Sequence, residues 1–201
     1  MTTPPRIEVP DGIYHVTARG NNREPLYREE QDYRIFLAML ERVAQKHRWT
    51  VLAYCLMGNH YHLVVQIPVG GLSSGLDVLN GGFARVMNLR HDRTNHLFGR
   101  RFHSLLIESD SHMLEVSRYV ALNPVRANLC ERPEGWRWSS YRACAGRELA
   151  PPFLSVDTLL RHFGDRPDEA RAAYSRFVAE GHVPALVPER HVPVAATAEG
   201  E

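Results

Sequence analysis

An α+β fold built on a single antiparallel sheet is predicted by three features of the sequence. Strand-type stretches recur at residues 12–18, 49–56, 60–67 and 101–107. Helix-type periodicity fills the gaps between the first and second of these and between the third and fourth. Only Met57-Gly58-Asn59 separates the two central strands, which makes them an antiparallel hairpin. The resulting order, β-α-β-β-α-β and then a further helix, is the split βαβ or ferredoxin-like pattern, with helices on one face of the sheet.

Each element has a local reason. Residues 12–18 (GIYHVTA) alternate apolar and polar side chains, and Gly20-Asn21-Asn22 is a turn signal. Asp32 is placed to cap a helix over 33–47, whose Ile35, Phe36, Met39, Leu40 and Val43 share a face. Residues 70–75 read as a flexible break, followed by a helix over 76–90 that Gly81-Gly82 weakens. Ser111 is placed to cap a third helix over 112–122, which Asn123-Pro124 should stop because residues before proline avoid the helical region. The main domain therefore spans 1–150. Beyond it, 151–182 forms a helical appendage with amphipathic segments at 156–163 and 168–180, and 183–201 reads as a disordered tail.

With 201 residues, 44% hydrophobic and 23% charged, the chain can bury a core, which excludes a mainly disordered protein. No apolar run reaches the ~18 residues a membrane helix needs, and the N-terminal MTTPPRIEVPDG lacks the pattern of a secretory signal. A cytoplasmic location without membrane partners is expected. Cys55, Cys130 and Cys144 are odd in number and widely spaced, so neither a disulfide scaffold nor a cysteine zinc site is supported. The net charge is only +1, yet residues 83–147 hold eleven Arg against six acids, and residues from 148 onward five Arg against nine. Lys46 is the sole lysine among 24 basic residues. Arginine grips phosphate through two N–H groups and stacks on bases, so the central segment suits nucleic acid. A genome rich in Arg codons would produce the same composition.

Two patterns could carry chemistry. His60-Tyr61-His62 lies on a strand, where residues i and i+2 point to one face, so two imidazoles project together and could ligate a divalent cation. Two such histidines are also common on ordinary strands. Tyr119 and Asn123 are four apart near the end of the third helix and share a face; a core tyrosine followed by a helix-ending asparagine would look the same. Arg85, Arg90, Arg93, Arg100 and Arg101, interspersed with His91, His96 and His103, could track a phosphate backbone or simply solvate a helix face and turn. Arg19, Asn21, Asn22 and Arg23 form a polar loop able to read base edges or phosphates. Phe98 could stack on a base, whereas Phe102, Trp136, Trp138 and Tyr141 read as packing residues. Glu108 and Asp110 read as helix-start acids, and His15 is a further candidate for the metal neighbourhood, with a structural role favoured.

Taken together, HYH on the third strand and Tyr119-x-x-x-Asn123-Pro124-Val125-Arg126-Ala127 on the following helix resemble the single-tyrosine HUH transposases, and among them the REP-associated tyrosine transposases. Arg19-Gly20-Asn21-Asn22-Arg23, Leu97-Phe98-Gly99-Arg100-Arg101-Phe102 and Trp138-Ser139-Ser140-Tyr141 extend the likeness, in order, over about residues 12–145. The resemblance implies a metal-dependent single-stranded DNA endonuclease and strand transferase. Tyr119 would be the nucleophile that stays joined to the 5′ phosphate, releasing a 3′ hydroxyl. His60, His62 and Asn123 would hold Mg²⁺ or Mn²⁺, a donor set that suits a hard cation. The implied substrate is single-stranded DNA folded into imperfect hairpins. Insertion-sequence relatives act as dimers that swap the tyrosine helix and the REP-associated branch as monomers, so a monomer or a homodimer is expected. Gly58 stands where relatives often carry proline or serine, and Asn123 stands where the insertion-sequence branch commonly has glutamine.

Two other functions fit the same residues. One is a domesticated hairpin-DNA-binding protein with vestigial cleavage activity. The other is an RNA-directed enzyme on the same scaffold, using two histidines as acid and base.

Overall fold

The protein is described here as a computed structural model over residues 8–68 and 70–181; the tail expected at 183–201 lies outside the described residues. Four strands form one sheet: β1 (Ile13–Arg19), β2 (Thr50–Leu56), β3 (His60–Gln66) and β4 (His103–Ile107). Their spatial order is β2-β3-β1-β4, and every neighbouring pair is antiparallel. This is the expected split βαβ order, with β3 inserted between β1 and β2.

The crossover helices α1 (Glu30–His47) and α2 (Leu72–Arg90) share one face of the sheet, as predicted. Phe36 of α1, Phe83 of α2 and Tyr61 of β3 meet there, with ring centroids 4.9 Å and 5.1 Å from Phe36. The buried Tyr61 hydroxyl donates to Asn80 Oδ1 at 2.8 Å, so burial leaves no polar group unmet. The opposite face is covered by α3 (Asp110–Arg126), which lies against β2 and β3. With both faces covered, β2 and β3 are nearly continuous runs of buried residues.

Three boundaries differ from expectation, each through a contact made outside the element. Asp32 is not the N-cap of α1. Glu29 holds that position, and Asp32, fully buried, accepts from the backbone N–H groups of Arg28 and Glu29 at 2.8 and 3.2 Å. Helix α2 begins at Leu72 rather than 76, because the Glu8 carboxylate accepts from the N–H groups of Leu72 and Ser73 at 3.1 and 2.9 Å. Helix α3 starts behind Ser109, whose hydroxyl accepts from His112 N–H, and runs through Asn123-Pro124 to Arg126. Pro124 removes one ladder hydrogen bond, but it is buried, and the bonds Ala127 N–H to Asn123 O and Leu129 N–H to Pro124 O close the helix beyond it.

The segment after α3 seals the outer edge of the sheet. Ser140 N–H donates to Tyr54 O, Leu56 N–H to Trp138 O, and Ser155 N–H to Val51 O, at 2.8–2.9 Å. Trp138 stacks on Tyr33 at 4.5 Å and Trp136 donates to Leu56 O at 3.0 Å, in the packing roles expected of them. Short helices α4 (Tyr141–Cys144) and α5 (Val156–Leu160) then lead to α6 (Pro167–Ala179). Helix α6 docks on α3: the Arg118 guanidinium sits 4.4 Å over the Phe177 ring and donates to Phe177 O.

Gly75 lets α2 close on Trp49, since a Cβ there would lie 2.2 Å from Trp49 Cζ2. Helix propensity alone would favour Gly75→Ala by about 1 kcal/mol. The collision with a ring only 5% exposed outweighs this, because overpacking a tight contact costs about 1–3 kcal/mol. A lowered melting temperature is expected; a raised one would show that Trp49 does not pack on this turn.

Candidate active site

The β1–β3 register assembles the site. His62 pairs with Thr17 and His60 with Arg19, so His15, Thr17, Arg19, His60 and His62 all point to the face that α3 covers. Helix α3 brings Tyr119 down onto this face. Its ring meets His62 edge-on at 5.6 Å and His15 at 5.9 Å, while His15 and His62 stack on each other at 5.3 Å. Asn123, one turn further along, is 8% exposed and donates its amide to the Tyr119 carbonyl at 3.2 Å. Arg126, a further turn on, places its guanidinium 4.8 Å over the Tyr119 ring.

The ring nitrogens of these histidines have distinct partners. His60 Nδ1 lies 2.8 Å from Asn59 Oδ1, which can only accept, so that nitrogen carries the proton and Nε2 is left as the ligand atom. His62 Nδ1 lies 3.0 Å from His15 Nε2, while His62 Nε2 is buried with no hydrogen-bond partner among the described residues. A buried imidazole nitrogen left open is costly unless a cation or donor occupies it. Burial pushes the pKa of His60 down to about 4, helped by Arg19, and that of His62 well below the usual value, helped by His15 and His60. His15 is also lowered to about 4, by burial and then by His103 and His112. All three are neutral at pH 7, the form that binds metal. With the Asn123 amide engaged, the ligand atom its side chain retains is the carbonyl oxygen. Two open imidazole nitrogens and a carboxamide oxygen fit a divalent cation.

A cleft of about 730 Å³ opens beside the pair, lined by Thr17 to Arg23, His60, His62 and Gly99 to His103. Six residues of the sequence-predicted nucleic-acid surface therefore meet the metal-type histidines: Arg19, Asn21, Asn22, Arg23, Arg100 and Arg101. The loop is held by Asn21 N–H to Leu97 O, Gly99 N–H to Arg19 O and Gly20 N–H to Asn59 O. Gly20 is required there, since a Cβ would lie 2.1 Å from Glu24 O.

The remaining arginines are not brought to this cleft. Arg90 pairs with Glu29 and Asp32, Arg93 pairs with Glu24, and Arg85 is exposed on α2, across the sheet from the histidines. Ligand-type atoms of Glu29, Asp32 and His91 lie within 4.8 Å of one another, which makes a possible metal-binding cluster. Its carboxylates already face a cation, however: Arg90 donates to both, and His91 Nε2 lies 2.9 Å from Asp32 Oδ2.

Asn59 and Arg126 are site residues that the sequence motifs do not assign, and His15, a candidate for the metal neighbourhood with a structural role favoured, does stand beside His62. The signal for Asn59 was its adjacency to His60. For Arg126 it was i, i+7 spacing from Tyr119, hidden by the expected helix stop. His15 needed the β1–β3 register.

These features carry a clear likeness to known proteins. A sequence model described as "Transposase IS200 like" matches residues 8–123, a stretch that contains His60, His62, Tyr119 and Asn123. The chain belongs to the IS200-like transposase family. A Haemophilus influenzae protein assigned by name to the REP-associated tyrosine transposases is 24% identical over 166 residues, covering 77% of this chain and 93% of that one. A solved structure of a REP-associated tyrosine transposase bound to a REP hairpin superposes with a TM-score of 0.63 at 18% identity, covering 77% of this chain and 92% of the other. The resemblance to REP-associated tyrosine transposases thus extends from motifs to architecture, and the chain is an enzyme of the transposase class. No helix among the described residues is long and apolar enough to cross a membrane.

Neutral buried histidines make this transposase sensitive to acid. The unfolded chain takes up protons near pH 6.5, whereas folded His15 and His60 resist until about pH 4. The unfolded state binds more protons in that window, so stability is full above it and falls as pH drops from about 6.5 toward 4. His15→Gln, measured by chemical denaturation with a chelator present, is expected to flatten that slope. An unchanged slope would show that His15 is not held neutral.

Proposed function

We propose that this transposase cuts and rejoins single-stranded DNA folded into REP-type hairpins, with Tyr119 as nucleophile and a divalent metal, Mg²⁺ or Mn²⁺, held by His60, His62 and Asn123. The observation that carries this reading is the pair of neutral histidines with their Nδ1 atoms engaged and a buried, open Nε2 on His62, set against the ring of a tyrosine. Such a metal supplies positive charge at the scissile phosphate. Tyr119 is held by its ring contacts beside that position, and Asn123 is fixed on the same helix one turn away. Its phenol attacks phosphorus and the bond to the 3′ oxygen breaks. The tyrosine is left on the 5′ phosphate, with a free 3′ hydroxyl. Because the phosphotyrosine keeps a phosphodiester bond, a second 3′ hydroxyl can reverse the step and join a new strand. One chain supplies Tyr119 and both histidines, which supports action as a monomer. The cleft arginines would bind the phosphates flanking the cut, and a substrate of chromosomal DNA would place the work in the cytoplasm.

End-labelled hairpin oligonucleotides from the DNA flanking the gene, incubated with Mn²⁺, are expected to leave label on the protein in a denaturing gel. Tyr119→Phe and His60→Ala, or addition of EDTA, are expected to remove that label. Label retained in Tyr119→Phe would assign the nucleophile elsewhere. Tight hairpin binding with no adduct in any metal would instead favour the vestigial, DNA-binding alternative.

The cleft has its own test. Arg101→Ala is expected to weaken hairpin binding and lower the slope of log affinity against log salt by about one, as for one lost phosphate contact. Arg85→Ala, on the other side of the sheet, is expected to leave the slope unchanged. Equal effects of the two, by filter binding across a salt series, would move the DNA off the cleft.

A further inference from the structure

We infer that Arg126 is a catalytic residue of this site, holding the Tyr119 ring and donating N–H groups to the phosphate that Tyr119 attacks; the inference rests on Tyr119 being the nucleophile. The Tyr119 ring is boxed. His15 and His62 meet it edge-on at 5.9 and 5.6 Å, and the Arg126 guanidinium lies 4.8 Å over the ring. A cation stacked on an aromatic face restricts how the ring can turn, and so where its hydroxyl points.

The guanidinium is also short of partners. No carboxylate pairs with Arg126 among the described residues, and its Nε is buried without a hydrogen bond. Arg118, also on α3, is fully employed by contrast: it pairs with Glu115, donates to Phe177 O and covers the Phe177 ring. A half-buried arginine with no anion is costly, because the charge is partly desolvated and Arg118 adds like charge, while the Tyr119 ring offsets it only in part. An incoming phosphodiester would supply the missing anion. The planar fork of a guanidinium matches two phosphate oxygens, which a single-point cation does not.

Helix geometry explains why this residue is the one in place. Tyr119, Asn123 and Arg126 are i, i+4 and i+7, one stripe of an α-helix. The stripe exists only because α3 continues through the buried Pro124. Had the helix ended before Asn123-Pro124, Arg126 would not share a face with the tyrosine.

In the step itself, the Tyr119 oxygen bonds to phosphorus as the bond to the 3′ oxygen breaks, and the leaving oxygen takes the electron pair. The phenol proton passes to water, and a proton from water completes the 3′ hydroxyl, so the substrate monoanion becomes a phosphotyrosyl monoanion. Negative charge builds on the non-bridging oxygens as phosphorus becomes five-coordinate. Donors already aimed at that position favour the transition state over the ground state.

The test uses the full-length protein, Mn²⁺ and saturating hairpin oligonucleotide in single-turnover adduct assays. Arg126→Gln is expected to slow adduct formation about 100-fold, the usual loss when one donor to a developing oxyanion is removed, and Arg126→Lys to slow it less. Mn²⁺ affinity and melting temperature are expected to stay at wild-type values, and hairpin affinity to fall by much less than the single-turnover rate. A purely structural role would also slow the reaction, so the scissile linkage is varied as well. On one of its two phosphorothioate diastereomers the Arg126→Gln penalty is expected to shrink by about threefold or more, because the contacted oxygen has been replaced. Wild-type rates in Arg126→Gln, an equal penalty on phosphate and both diastereomers, or a loss carried by hairpin or metal affinity would each overturn the proposal. Label retained in Tyr119→Phe, run alongside, would instead point to failure of the nucleophile assignment itself.

Discussion

The antiparallel pairing of β1 with β3 is the constraint on which the rest of the site depends. Pairing Thr17 with His62 and Arg19 with His60 puts the metal-type histidines, the supporting His15 and the first cleft arginine on a single face. A one-residue slip of β1 against β3 would send His15 and Arg19 to the face opposite His60 and His62, among Phe36, Phe83 and the core. The register is held by burial on that opposite face, where Val16, Leu63 and Val65 are closed off from water. The hydrophobic core thus serves as the positioning device for the polar site on its reverse.

Covering both faces of the sheet determines what the site can do. Under α3, the histidines lose their hydration and stay neutral, which favours metal binding over protonation. The same burial would be unfavourable for charged groups, and the structure keeps most of its arginines elsewhere. Arg19, Arg23, Arg100 and Arg101 line the open cleft, while Arg90 neutralises the buried Asp32 at the start of α1. Basic side chains therefore serve two separate purposes: some are available to a polyanion, and others hold α1 and α2 together.

The appendage contributes to both the sheet and the tyrosine helix. Its Ser155 completes the closure of the β2 edge begun by Trp138 and Ser140, and α6 grips α3 at Arg118. Tyr119 follows directly after Arg118 in the chain, so the docking of α6 also limits movement of the proposed nucleophile. The protein needs residues beyond the family-matched stretch, which ends at 123, to complete its sheet and steady its site.

The sequence by itself determined the element order, the hairpin and the chemistry-bearing side chains, because strand alternation, helical periodicity and the HYH and Tyr-x-x-x-Asn spacings are local properties. His60 and His62 share a face through strand parity alone, whatever the rest of the chain does. Only the tertiary structure decided the boundaries and the company each residue keeps. Glu8 starts α2 from 64 residues away, and burial carries α3 past a proline that local rules read as a stop. His15 reaches His62 across 47 residues of chain, and of five arginines close in sequence only Arg100 and Arg101 reach the cleft. Such contacts depend on which surfaces come together when the sheet is sandwiched between its helices. Sequence spacing does not encode that distance, because the energy that sets it is burial shared among residues far apart in the chain.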